Sequence, residues 1–208
     1  MSGIVAQNVG RPSGLIKAAA GGGGTWVEIK SITASADSTI SFVDGTSDVV
    51  FDGTYPVYCF RFINIHPSAA DPQFGFNASD DDSSHSYDVV ITNTAFRAYH
   101  AEDDSATALG YETSHDIAQS TSLARITSEV NNDNDSCLSG YMYFFAPSST
   151  TFVKHFFSRA HTHSNAYEMH YFFAGYVNTT ADITALQFKF SSGNIDDGKI
   201  KLFGIKDS

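Results

Sequence analysis

From Trp26 onward, apolar and aromatic side chains recur at every second position of short segments, and hardly anywhere at the spacing of three or four that a helix needs. Val27 and Ile29 alternate with Glu28 and Lys30, and Ile40 and Phe42 flank Ser41. Successive strand side chains point to opposite faces, so each segment predicts a strand with one covered face. The stretch 55–66, YPVYCFRFINIH, differs: Tyr58, Phe60 and Phe62 share one parity, and Val57, Cys59, Ile63 and Ile65 the other. Apolar residues on both parities predict a central or interfacial strand.

The same reading predicts further strands at 74–78, 88–92, 96–100, 137–145, 152–159, 167–177, 184–190 and 199–205, eleven in all. The linker APSSTT after Phe145 is too short for a parallel crossover and predicts a hairpin. By the same logic SSGNIDDG, residues 191–198, predicts a second one. The acidic runs at 80–86 and 131–135 predict solvated loops, and 101–130, rich in Ala, Ser and Thr, is expected to be loop as well. With no βαβ rhythm, the expected fold is all-β: an antiparallel two-sheet sandwich, a jelly roll, over residues 25–208.

Residues 1–24, MSGIVAQNVGRPSGLIKAAAGGGG, have seven glycines, a proline and a few isolated aliphatics, too little to form a core. They predict an extended N-terminal arm and a Gly-rich hinge. Ile4, Val5, Leu15 and Ile16 are its candidate apolar anchors to a partner, and Arg11 and Lys17 its candidate charged contacts. Order in such a segment depends on something that holds it.

Composition narrows the function. Asp and Glu number 23 against 12 Lys and Arg, so the average field repels phosphate and nucleic acid is an improbable partner. Charged residues are only 17% of the chain and aromatics 13%, a balance suited to buried contacts with neighbours. No apolar run reaches the roughly 20 residues of a spanning helix. Residues 1–20 lack a signal-peptide core, so synthesis in a cytoplasm is expected. Cys59 and Cys137, the two cysteines, form no CxxC pair, and a bridge between them is left open.

Chemistry-bearing motifs are sparse. His161 and His163 share one strand face, with Glu168 and His170 near in sequence, but this spacing matches no recognised metal site. Asn194 with Asp196, Asp197 and Gly198 lacks the closing acid of a calcium loop and fits a tight turn. The run Asp80, Asp81 and Asp82 is expected to repel itself into solvent. No serine sits in GxSxG, and the glycine run is not a phosphate loop. Glu112 and Glu168 remain open as a carboxylate pair whose separation only the fold can give. Asn77 and Asn178 begin glycosylation-like triplets, read as chance matches. The expectation is a protein that is not an enzyme and holds no cofactor.

Five segments carry a family resemblance: VGRPSGLIKA (9–18), YCFRFINIHPS (58–68), FRAYH (96–100), FVKHFFSR (152–159) and QFKFSSGNIDDGKIKLFGIK (187–206). With these, the chain resembles jelly-roll-like virion structural proteins of marine tailed phages. That resemblance implies a place in the virion, on capsid, neck or tail, with the arm docked on other virion proteins and the β-body projecting. It carries no catalytic motif. Repeated copies on a symmetric particle gain avidity, so a homo-oligomer is expected, with a trimer as the first guess. The competing expectation is a carbohydrate-binding module that recognises a host-surface glycan through exposed aromatics.

Overall fold

The computed structural model describes residues 25–207, which form an all-β sandwich of two antiparallel sheets. Thirteen strands follow in chain order: β1 (Trp26–Thr33), β2 (Ile40–Val43), β3 (Val57–Pro67), β4 (Gln73–Ser79), β5 (Ile91–Ala101), β6 (Thr107–Tyr111), β7 (Ile117–Ser120), β8 (Ala124–Glu129), β9 (Cys137–Phe145), β10 (Lys154–Ser164), β11 (Tyr167–Val177), β12 (Ala185–Phe190) and β13 (Ile195–Ile205). The larger sheet has nine strands in the order β1-β13-β3-β9-β10-β11-β5-β6, with β7 beside β6 on the free side of β5. The smaller has four, β2-β12-β4-β8.

Three pairs joined by long stretches of chain, β3·β13, β4·β12 and β5·β11, fall alternately in the large, small and large sheet. A double strand rolled around a core gives this alternation, and the sandwich is jelly-roll-like. β3 is central between β13 and β9. The inner face of β3 meets the small sheet through Phe60 and Phe62, which pack with Phe42, Phe74 and Phe188, and Phe188 in turn meets Phe76. Edge-to-face contacts are the commonest geometry there, as the ring quadrupole favours.

Several expectations change. Residues 91–92 and 96–100 belong to one strand, β5, because Ile91, Asn93 and Ala95 keep one buried parity through the segment between them, while 88–90 lie before it and outside any strand. The supposed loop 101–130 contains β6, β7 and β8; its small polar residues are strand-competent where β5 and β4 supply ladder partners. The 191–198 hairpin is absent, since β12 and β13 lie in different sheets. Asp196 and Asp197 therefore sit in a doubly bulged strand and not a turn. Ile65 was expected on the side of Cys59 and Ile63; left-handed Asn64 (φ 49°) shifts the register and turns Ile65 into the core.

One end of the sandwich is tied by polar groups. Lys154 is fully buried, and its ammonium donates to the carbonyls of Ser149 (2.5 Å), Thr179 (3.3 Å) and Ala181. Burial pushes its pKa down, while the charges of Asp182 and Asp80 oppose that shift. Asp81 is not repelled into solvent alone: its carboxylate accepts the backbone N–H groups of Ser84 (2.7 Å), His85 (2.9 Å) and Ser86 (2.9 Å) and closes its own loop. These bonds, led by that from Ser86, hold its pKa far below the carboxylate range.

Candidate interaction face

The nine-stranded sheet is larger than the sheet that covers it, and its outer face carries the chain's second aromatic assembly. Alternation puts it there. On β10 the buried residues Lys154, Phe156, Ser158, Ala160, Thr162 and Ser164 interleave with the outward His155, Phe157, Arg159, His161 and His163. Its neighbours add Tyr141, Tyr143 and Phe145 from β9, and Glu168, His170 and Phe172 from β11.

Register links these rings across strands. Phe157 lies opposite Tyr143, with centroids 5.0 Å apart, and Phe172 opposite Phe96, stacked at 4.7 Å and 8°. Trp26 on β1 reaches Tyr143 at 6.1 Å and Phe203 at 5.9 Å. Two cations are laid over the rings: the Arg61 guanidinium 5.2 Å from the Trp26 centroid and that of Arg159 5.3 Å from Phe172. Exposure remains high, at 39% for Trp26, 41% for Phe157 and 44% for Phe96. Contiguous exposed rings of this kind mark interaction surfaces.

Two shallow grooves cross the face. One, of about 550 Å³, is lined by Trp26, Arg61, Ile63, Tyr141, Lys201 and Phe203. The other, of about 310 Å³, is lined by Thr94, Phe96, Tyr141, Phe157, Arg159 and Phe172. Both combine ring faces with a fixed cation.

The belt ends in histidine–carboxylate pairs: His161–Glu168 at 3.3 Å, His163–Glu102 at 3.1 Å and His100–Asp104 at 3.2 Å. Arg159 Nε donates to His170 Nε2 at 2.6 Å, which requires that nitrogen to be unprotonated. Burial first, then the charges of Arg159 and His161, lower the pKa of His170. His161 and His163 do share a face, but each engages its own acid. Among the described residues no three His, Cys, Asp or Glu side chains gather in a way that would hold a metal.

The remaining sequence candidates disperse. Glu112 pairs with Arg97 (2.8 Å) on the inner side of β5, whereas Glu168 projects from the outer face of β11, so the two carboxylates stand on opposite sides of the sheet. Ser114 Oγ (3.2 Å) and Glu112 Oε2 (3.3 Å) both meet His115 at Nδ1. One ring nitrogen cannot relay a proton between two partners placed on the same side. Cys59 and Cys137 are free thiols, and burial pushes Cys59 up to about 11. Asn77 is buried and donates to the Thr121 (3.2 Å) and Ser122 (3.3 Å) carbonyls, so it is no glycan acceptor. No helix among the described residues is long and apolar enough to cross a membrane. The arm candidates Ile4, Val5, Arg11, Leu15, Ile16 and Lys17 lie outside the described residues.

Sequence reasoning reached the outer face only at His161, His163, Glu168 and His170 and did not single out its aromatic residues. Their signal was present in YMYFF, residues 141–145, where aromatics occupy both parities of one strand as they do in 55–66. Comparison with known proteins finds no matching family model, no matching curated protein and no matching solved structure.

Proposed function

We infer that the chain is a non-enzymatic structural subunit of a phage particle, a tail or fibre appendage or a capsid decoration protein. Its arm, residues 1–24, docks on other virion proteins, and its sandwich body projects and meets neighbouring subunits through the outer face of the large sheet. The single observation that supports this reading is that face: exposed rings and fixed arginines spread over several strands. The setting comes from the expectation raised by the five segments that resemble virion structural proteins. In a test, removal of residues 1–20 should leave a folded body that no longer joins particles; normal incorporation of the truncated chain would contradict the reading.

A second reading is favoured by one groove. Phe96, Phe172 and Arg159 place a stacked ring pair beside a charged donor, which is the chemistry a sugar ring requires. Glycan binding by the isolated body, abolished by Phe172→Ala with the fold intact, would favour a host-recognition module.

A further inference from the structure

We propose that β6 is a docking edge at which two copies of this chain pair strand to strand across a two-fold axis, joining their large sheets into one. β6 closes one end of the nine-stranded sheet, and each of its residues, Thr107–Tyr111, is exposed. Leu109 is 74% exposed and Tyr111 54%. Edge strands of stable monomers are ordinarily blunted by charge, proline or a bulge. The opposite edge follows that rule: β1 carries Glu28 and Lys30 with a bulge between them. The sequence TALGY has none of these devices, and its pairing with β5 is regular.

The hydrogen-bond phase shows which backbone groups are free. Ala101 N–H donates to Ala106 O (2.8 Å), and Glu112 N–H donates to Ala95 O (2.9 Å). In an antiparallel ladder closely bonded pairs alternate with unbonded ones. With Tyr99 opposite Ala108 and Arg97 opposite Gly110, the even residues of β6 therefore face β5. Thr107, Leu109 and Tyr111 turn their N–H and C=O groups away from the sheet. Such a row is satisfied by another strand.

Self-pairing fits this strand. A two-fold axis at Leu109 sets Leu109 against its own copy and Thr107 against Tyr111, so no charged residue of β6 opposes its like in a chain of net charge −11. The acidic turn Glu102–Asp104 of each copy falls at opposite ends of the joint. Thr107, Leu109 and Tyr111 share the outward parity of Phe96, and the aromatic face becomes continuous across both copies. Five residues bury less than the ~1,200 Å² of a standard interface, so a weak pairing that strengthens when copies are concentrated on a surface is expected.

The test is sedimentation equilibrium of the full-length chain up to roughly 100 µM, a range that detects weak dimers. A concentration-dependent dimer is expected for the wild type. Leu109→Pro removes only an outward donor and should raise the dimer dissociation constant by about tenfold or more, with unchanged circular dichroism. Leu109→Lys should do the same by charge if the proline variant fails to fold. Deleting residues 1–20 should leave the dimer intact; its loss would assign the edge to the arm and overturn the proposal. A monomer throughout, or a dimer indifferent to both Leu109 substitutions, would overturn it too. The outcome is independent of whether the chain is found in particles.

Discussion

The sandwich carries two aromatic assemblies, one between its sheets and one on the outer face of the large sheet, and they differ in kind. Inside, Phe188 touches five other phenylalanines, including Phe60 at 4.9 Å and Phe62 at 5.3 Å, and all six are at most 2% exposed. Outside, Phe157, Phe96 and Trp26 keep about two-fifths of their surface in water and lie among arginines and histidines. The residue types are shared; the neighbours are not. An interior ring stabilises the fold by burial, whereas an outer ring is half covered in the folded chain and has stabilisation left to gain from a partner.

The contrast fails first if the inner rings are dispensable. Phe188→Ala should lower unfolding free energy by about 3–5 kcal/mol in urea denaturation, the range for a buried phenylalanine. A loss under about 1 kcal/mol would mean that the interior is not the close-packed unit described. The polar tie comes next. Lys154→Met keeps the stem but leaves the carbonyls of Ser149, Thr179 and Ala181 without their donor, and should cost about 2–3 kcal/mol by the same measurement.

Acid should act in two windows. Burial first, and the Arg125 charge second, hold His115 below its ordinary 6.5, and Glu112 only partly opposes them. Below 6.5 the unfolded chain takes up a proton that the folded chain resists, so stability falls as pH drops through that value. Asp81 is depressed instead: its contribution is complete above the ordinary 3.8 and is lost only below it. Melting temperature between roughly pH 7.5 and 5.5 should decline in the wild type and decline less in His115→Gln; equal slopes would remove His115 from the account. The smallest effect belongs to the outer face. Phe157→Ala should change stability by no more than about 1 kcal/mol in the same denaturation, because 41% of this side chain is left exposed in the folded chain.

Much of the fold was legible because alternation is local. Tyr167–Val177 reads as a strand from its own residues, and Tyr58, Phe60 and Phe62 announce a buried face without any neighbour. What was not legible depends on contacts distant in sequence. Thr107–Tyr111 has too few apolar residues to declare itself and becomes a strand only beside Phe96–His100. Asn64 looks like any polar residue, yet its left-handed turn moves Ile65 to the other face. The destination of SSGNIDDG was equally hidden, since a short polar connection does not say whether it stays in a sheet or crosses to the other. The interaction face was half legible. Aromatics on both parities announced an outer apolar surface, but the meeting of Trp26, Tyr143 and Phe203 required the β1·β13·β3·β9 order.

A reconstruction of the purified particle tests most directly whether the outer aromatic face is a contact surface. Density for this chain with Trp26, Phe96 and Phe157 covered by a neighbouring subunit is the expected result. A particle in which every copy leaves those rings open to solvent, or which lacks the chain altogether, would contradict it.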